Sequence, residues 1–92
     1  MSSVSKRRVV VTGLGALTNV GGDVETIWRA LIEGRSGITA IKSFEQDDQW
    51  PVRIAGEVDG FDPTVVIDKR DAKKMDRFCQ LGVCAAEEAV RH

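Results

Sequence analysis

The sequence predicts an α/β fold, and three features carry that expectation. An apolar run, Val9 to Val11, leads into a glycine loop, "GLGALTNVGG". A helical pattern follows the loop, opened by Asp23 and closed by Gly34. A second, longer helical pattern fills the C-terminal quarter from about Lys69.

The first element is "RVVVTG". Its three consecutive valines do not alternate with polar residues, which is the pattern of a strand buried on both faces. Such strands sit in sheets covered by helices. After the loop, Asp23 is a good N-cap. Val24, Ile27, Trp28, Leu31 and Ile32 then recur at i, i+3, i+4, i+7 and i+8, one apolar helix face. Gly34 ends the helix as a C′ glycine. Within "SGITAI" and "WPVRIAGEV", Val52, Ile54 and Val58 mark a short strand whose start Pro51 keeps at an edge or turn. "DGFDP" is a turn.

From Lys69 onward one long helix is expected. Met75, Phe78, Cys79, Gly82, Ala85, Ala86, Ala89 and Val90 form its apolar side. Gly82 and the three alanines are small enough to admit a second backbone. Leu81, Val83 and Cys84 widen the apolar surface, so the helix needs neighbours on several sides. Trp28 and Phe78 are expected in the core, and Trp50 is expected partly exposed. The chain offers few elements to cover so much apolar surface, and no cap signal follows "EEAVRH". The expectation is an incomplete domain.

Composition narrows the function. The net charge of −1 gives no global pull toward nucleic acid or a membrane surface. No apolar run approaches the roughly 20 residues of a membrane span. "MSSVSKRR" lacks the apolar stretch of a signal peptide. Two cysteines without a disulfide framework fit a reducing cytoplasm. Charge is nevertheless uneven. Glu45 to Asp62 holds six acids against one base, Arg53, whereas Lys69 to Arg77 holds five bases against two acids.

The glycine loop invites a dinucleotide reading, and the residues argue against it. G-x-G-x-x-G needs a third glycine where this chain has Thr18. Asn19 to Gly22 delay the helix whose N-terminus would hold phosphate. Asp23 adds a negative charge there. Glu33, at the distance of a ribose-binding acid, lies in the last turn of a helix, and no P-loop lysine is present. Gly13 and Gly15 therefore read as structural, serving positive φ or close backbone packing. No cofactor is expected. Cys79 and Cys84, five residues apart on one helix, point in different directions and away from its N-terminus. The single histidine is His92. That leaves no Cys–His dyad and no zinc ligand set, and the thiols read as small core side chains.

The basic cluster carries more information. On a continuous helix Arg70, Lys73, Lys74 and Arg77 fall at i, i+3, i+4 and i+7, one face of its first two turns. The macrodipole disfavours cations there. The bland alternative is a solvated face.

Four stretches, "RRVVVTGLGALTNVG", "TIWRALIEGRSGI", "RIAGEVDGFDP" and "KKMDRFCQLGVCAAEEA", follow one another in an order and spacing that resemble the β-ketoacyl-acyl-carrier-protein synthases, most nearly the synthase II type of bacterial fatty-acid synthesis. The resemblance runs from about Lys6 to Arg91. Asn19 stands where that family commonly has proline. The resemblance implies a thiolase-like α-β-α-β-α layered fold in a homodimer, with residues 1–92 as the N-terminal portion of the first half. It implies a decarboxylative Claisen condensation of an acyl-enzyme with malonyl-acyl-carrier protein. The family's catalytic cysteine and two histidines lie downstream of the matched region, so no catalytic residue is expected in this chain. The resemblance makes acyl carrier protein the partner, docked by Arg70, Lys73 and Lys74, with Lys69 and Arg77 as weaker contacts. The alternative is a carrier-binding module without activity.

Overall fold

The computed structural model describes residues 6–91. The first five residues and His92, including the histidine weighed above, lie outside the described residues.

Helix α1 spans Val24–Glu33 and both of its ends are closed by local chemistry. Asp23 is extended, with φ −153, and its carboxylate accepts the Thr26 N–H at 2.7 Å. Bonds from Thr26, side chain first and backbone second, hold the Asp23 carboxyl below the usual carboxylate range. Gly34 takes the left-handed conformation at φ 70 and donates to the carbonyls of Ala30 and Leu31. An L side chain avoids that conformation, which explains glycine at this position.

A tight turn and a small ladder follow. Strands β1, Thr39–Ala40, and β2, Ile54–Ala55, pair antiparallel, with Thr39 opposite Ala55 and Ala40 opposite Ile54. The Ile41 N–H extends the ladder to the Arg53 carbonyl at 2.9 Å. Between the strands, Phe44 and Trp50 stack edge to face at 5.3 Å, and Trp50 is half exposed as expected. Glu57 closes the mouth of this hairpin by accepting from the N–H groups of Lys42 and Ser43 at 2.8 and 3.1 Å. Asp62 then caps the 3-10 turn Pro63–Val65 through the Thr64 N–H, at 2.9 Å.

The expected long helix is two helices. Helix α2 is Lys69–Lys73 and helix α3 is Arg77–Arg91. The chain tightens between them: Lys74 donates to the Asp71 carbonyl at 3.1 Å, and Met75 to the Ala72 carbonyl at 3.2 Å. These i→i−3 bonds end the α-helical ladder. The Asp76 carbonyl then accepts the Gln80 N–H at 3.1 Å and starts a new one. The break lets Met75 join the core, where Ile67, Ala72 and Cys84 are buried and Leu17, Phe61 and Met75 pack around them.

Val9 to Val11 correct the strand expectation. They have no ladder partner among the described residues, and they are 69–92% exposed. Three valines in a row suit a covered sheet, but the β1–β2 ladder takes no third strand from the described residues. Trp28 and Phe78 correct the core expectation in the same way, at 61% and 72% exposure. The apolar faces are present, but nothing in the described chain covers them. A radius of gyration of 18.3 Å, against about 12 Å for a compact chain of this length, agrees with that exposure.

A close backbone approach packs the glycine loop on α3. A Cβ at Gly15 would stand 1.8 Å from the Ala85 carbonyl oxygen and 2.8 Å from the Ala89 nitrogen. The small residues of α3 thus admit a second backbone, as their sizes predict, at Ala85 and Ala89. Gly82, expected to share in this, has open space around it. Gly15→Ala is expected to destabilise the chain by at least about 1–3 kcal/mol, because overlap with backbone cannot be relieved by a rotamer change. Gly22→Ala, where a Cβ meets nothing within 4 Å, is expected to stay within about 0.5 kcal/mol. Urea unfolding of the two variants checks this, and equal midpoints would remove the close-packing role of Gly15.

The Asp23 cap gives a second expectation. Its folded pKa is lowered. The cap therefore stabilises fully above the unfolded aspartate pKa, about 3.9, and is lost as pH falls through the folded value. Asp23→Ala is expected to cost about 0.5–1 kcal/mol at pH 7, a low figure because the carboxylate is exposed and solvent-screened. The difference from wild type should shrink in circular dichroism melts as pH falls below the unfolded aspartate pKa. Asp23→Asn should keep most of the cap without that pH dependence.

Candidate functional site

The glycine loop is closed by its own backbone. Thr18 and Gly21 exchange N–H···O bonds at 2.9 and 3.3 Å, and the Val20 N–H donates to the Thr18 hydroxyl at 3.2 Å. The Asn19 amide nitrogen lies 2.6 Å from where a Cβ on Gly37 or Gly56 would stand, so both glycines make room for it. The decisive group is Glu88 of α3. Its two carboxylate oxygens accept the Ala16 N–H at 3.0 Å and the Val24 N–H at 3.1 Å. Val24 is the first residue of α1, so its N–H is one of the donors a phosphate would use. An internal carboxylate holds that donor, and the Asp23 carboxylate holds the Thr26 N–H of the same turn. Two negative charges thus occupy the anion site of the nucleotide reading. Glu33, the alternative ribose partner, is exposed and paired with Arg35. The described glycines with positive φ are Gly34 and Gly60, so the loop uses Gly15 for close packing rather than for left-handed backbone. Equilibrium dialysis of the chain with NAD, NADP or ATP is expected to show no saturable binding. Micromolar affinity for any of the three would overturn this assignment.

The cysteines are both free. Cys84 is buried in the core, and its thiol is pushed up, first by burial and then by the nearby Glu87 carboxylate. That is the reverse of what a nucleophile needs. Cys79 corrects one expectation: because α3 starts at Arg77, Cys79 lies in its first turn, near the helix N-terminus. No histidine falls within the described residues, and none of the described His, Cys, Asp and Glu residues group as a metal site. No described helix is long and apolar enough to cross a membrane.

The basic cluster is rearranged by the helix break. Arg70 and Lys73 lie in the last turn of α2 and Lys74 is its C-cap. Cations at a helix C-terminus are favoured by the macrodipole, so the predicted dipole penalty does not apply to Lys73 and Lys74. The four cations of the i, i+3, i+4, i+7 reading no longer share one helix, because Arg77 opens α3. Its guanidinium lies 4.7 Å over the Phe61 ring and donates to the Val58 carbonyl at 3.2 Å. Arg77 is thus a fastener of the 58–61 turn, with its donors partly used. Lys69, Arg70, Lys73 and Lys74 are exposed and close no ion pair among the described residues. At about 100° per residue, buried Ala72 points to the core. Arg70 and Lys74 lie opposite it, Lys73 beside them, and Lys69 nearer the buried side. Arg70, Lys73 and Lys74 therefore form one outward arc. Neither Glu88 nor Gln80, whose amide reaches α2, was singled out by sequence reasoning. The one signal for Glu88 is an acid set among alanines on the face that the glycine loop approaches.

With this geometry in view, comparison with known proteins is informative. Residues 6–92 match the model of the β-ketoacyl synthase N-terminal domain. The chain is 48% identical over 90 residues to a 3-oxoacyl-acyl-carrier-protein synthase 2 of Synechocystis, covering 98% of this chain and 21% of the relative. It is 49% identical over 87 residues to the protein of the same name in Vibrio harveyi, covering 95% and 21%. The Staphylococcus aureus protein of that name is 42% identical over 85 residues, covering 92% and 20%. The chain thus spans about a fifth of the length of the curated relatives it matches. A match across nearly the whole chain, at identities above two fifths, places it in one family: the chain belongs to the β-ketoacyl synthases, within their N-terminal domain.

Proposed function

We propose that this chain is the N-terminal portion of a condensing enzyme of fatty-acid or polyketide synthesis, and that its own contribution is to dock acyl carrier protein. The reaction is the decarboxylative Claisen condensation of an acyl-enzyme with malonyl-acyl-carrier protein. The catalytic groups lie outside this segment, which alone neither takes up an acyl group nor condenses one. In this reading the complete fold is thiolase-like and layered, and the enzyme works as a homodimer in the cytoplasm. The apolar surfaces left open at Val9 to Val11, Trp28 and Phe78 are consistent with burial by the remainder of such a fold.

One observation carries the docking role: Arg70, Lys73 and Lys74 form an outward arc of cations, without an ion pair among the described residues, on a short helix anchored by Ala72. Unpaired charge on one face raises the local potential and steers an anionic partner. Acyl carrier protein is such a partner, and the relatives are named for it.

Lys73→Glu combined with Lys74→Glu, in the enzyme that carries this segment, is expected to raise the KM for acyl-carrier protein roughly tenfold to a hundredfold at low salt. The effect should shrink as salt rises, because exposed charges are screened. Acylation by a small acyl thioester lacking the carrier should proceed at the wild-type rate. Unchanged carrier kinetics at low salt would reduce the arc to a solvated face.

A further inference from the structure

Helix α2 has only five residues. A helix that short does not hold its shape or direction unaided, so the basic arc points where its tertiary contacts make it point. Besides packing against the 3-10 turn Pro63–Val65, α2 is held by two contacts made at Ala72. At Ala72, the fourth of its five residues, the side chain is buried in a cluster with Ile67 and Cys84. At its end, the Gln80 side-chain amide donates to the Ala72 carbonyl oxygen at 2.9 Å in a part-buried setting. The first contact is apolar and non-directional. The second is directional, and it acts on the turn that presents Lys73 and Lys74.

The Ala72 carbonyl already accepts the Met75 N–H at 3.2 Å. The Gln80 bond occupies its second lone pair and so bridges the last turn of α2 to α3. Gln80 itself is set by its own backbone N–H, which donates to the Asp76 carbonyl at 3.1 Å in the first turn of α3. One residue thus joins both sides of the 74–76 break. No charge on Gln80 touches a partner, and the residue does not belong to the arc.

We infer that Gln80 is a positioning residue for carrier recognition: its amide, bonded to the Ala72 carbonyl, holds the α2 C-terminus so that Lys73 and Lys74 face the docked carrier. This rests on the docking role proposed above. A side chain that only supported the fold would affect every substrate alike. One that acts through the two lysines affects the carrier alone, and only while the lysines are present.

The test is a double-mutant cycle in the enzyme that carries this segment. Gln80→Met keeps length and approximate volume and removes the donor. It is expected to raise the KM for acyl-carrier protein by roughly three- to tenfold. The kcat and the rate with a small acyl thioester should stay at wild type. In the background of Lys73→Glu with Lys74→Glu, the same Gln80→Met change is expected to have no further effect on carrier KM. Gln80→Arg, which can donate to the same carbonyl, should recover part of the loss in the otherwise wild-type enzyme. Independent, multiplicative effects of Gln80→Met and the lysine reversals would overturn the positioning role, as would equal loss with the small thioester. If the lysine reversals alone leave carrier KM unchanged, the docking reading itself fails, and that result is separate from the behaviour of Gln80.

Discussion

The Glu88 carboxylate is the contact on which the arrangement of the first half depends. It lies on α3 and accepts from Ala16 in the glycine loop and from Val24 at the start of α1. These N–H groups are partly buried and need acceptors there, because a polar group shut away from water without a partner costs about as much as a lost hydrogen bond. A neutral side chain with one acceptor would satisfy one of them. A carboxylate satisfies both and adds favourable charge at the positive end of α1. Gly15 makes that reach possible by letting the loop come within backbone contact of Ala85 and Ala89. Glycine, alanines and glutamate work as one joint.

That joint also explains why a loop with the opening of a nucleotide motif has another purpose. In a dinucleotide fold the glycines bring the backbone toward a pyrophosphate, and the helix N-terminus receives the anion. Here the same physical opportunity, small residues beside free helix N–H groups, is used by an acid of the same chain. A spacing motif specifies backbone access; what fills the access depends on residues far away in sequence, here 72 and 64 positions.

How much was legible follows from that distance. The ends of α1 were readable because Asp23 and Gly34 act within a turn of themselves. The turn before Pro63 and the short strand at Ile54 were readable for similar local reasons. The Val9 to Val11 strand, and core places for Trp28 and Phe78, were inferred from hydrophobicity alone. Hydrophobicity states that a surface seeks cover without naming the cover, and the described chain supplies none. The break between α2 and α3 was written in Asp76, a favourable N-cap, but continuous apolar spacing across Met75 and Phe78 masked it. Glu88 and Gln80 act across the fold, and no local pattern distinguishes them from solvated polar residues.

The break changes the electrostatic argument for the basic arc as well as its geometry. On one long helix the cations would occupy the disfavoured N-terminal turns, and their persistence would itself signal function. With α2 ending at Lys73, Lys73 and Lys74 sit at its C-terminus, where the dipole favours them, so their cost is no longer the clue. The clue is that Asp68, Asp71 and Asp76 lie in the same stretch, yet none forms an ion pair with the four free cations among the described residues. Elsewhere in the chain Lys42 holds Asp59 at 2.7 Å, and Arg91 holds Glu87 at 3.0 Å. Such exposed pairs add little stability, but each uses up the direct contact that a partner would otherwise make. Cations left open on a short helix, with one side fixed by Ala72 and its end by Gln80, keep both their charge and their direction available for an anionic surface.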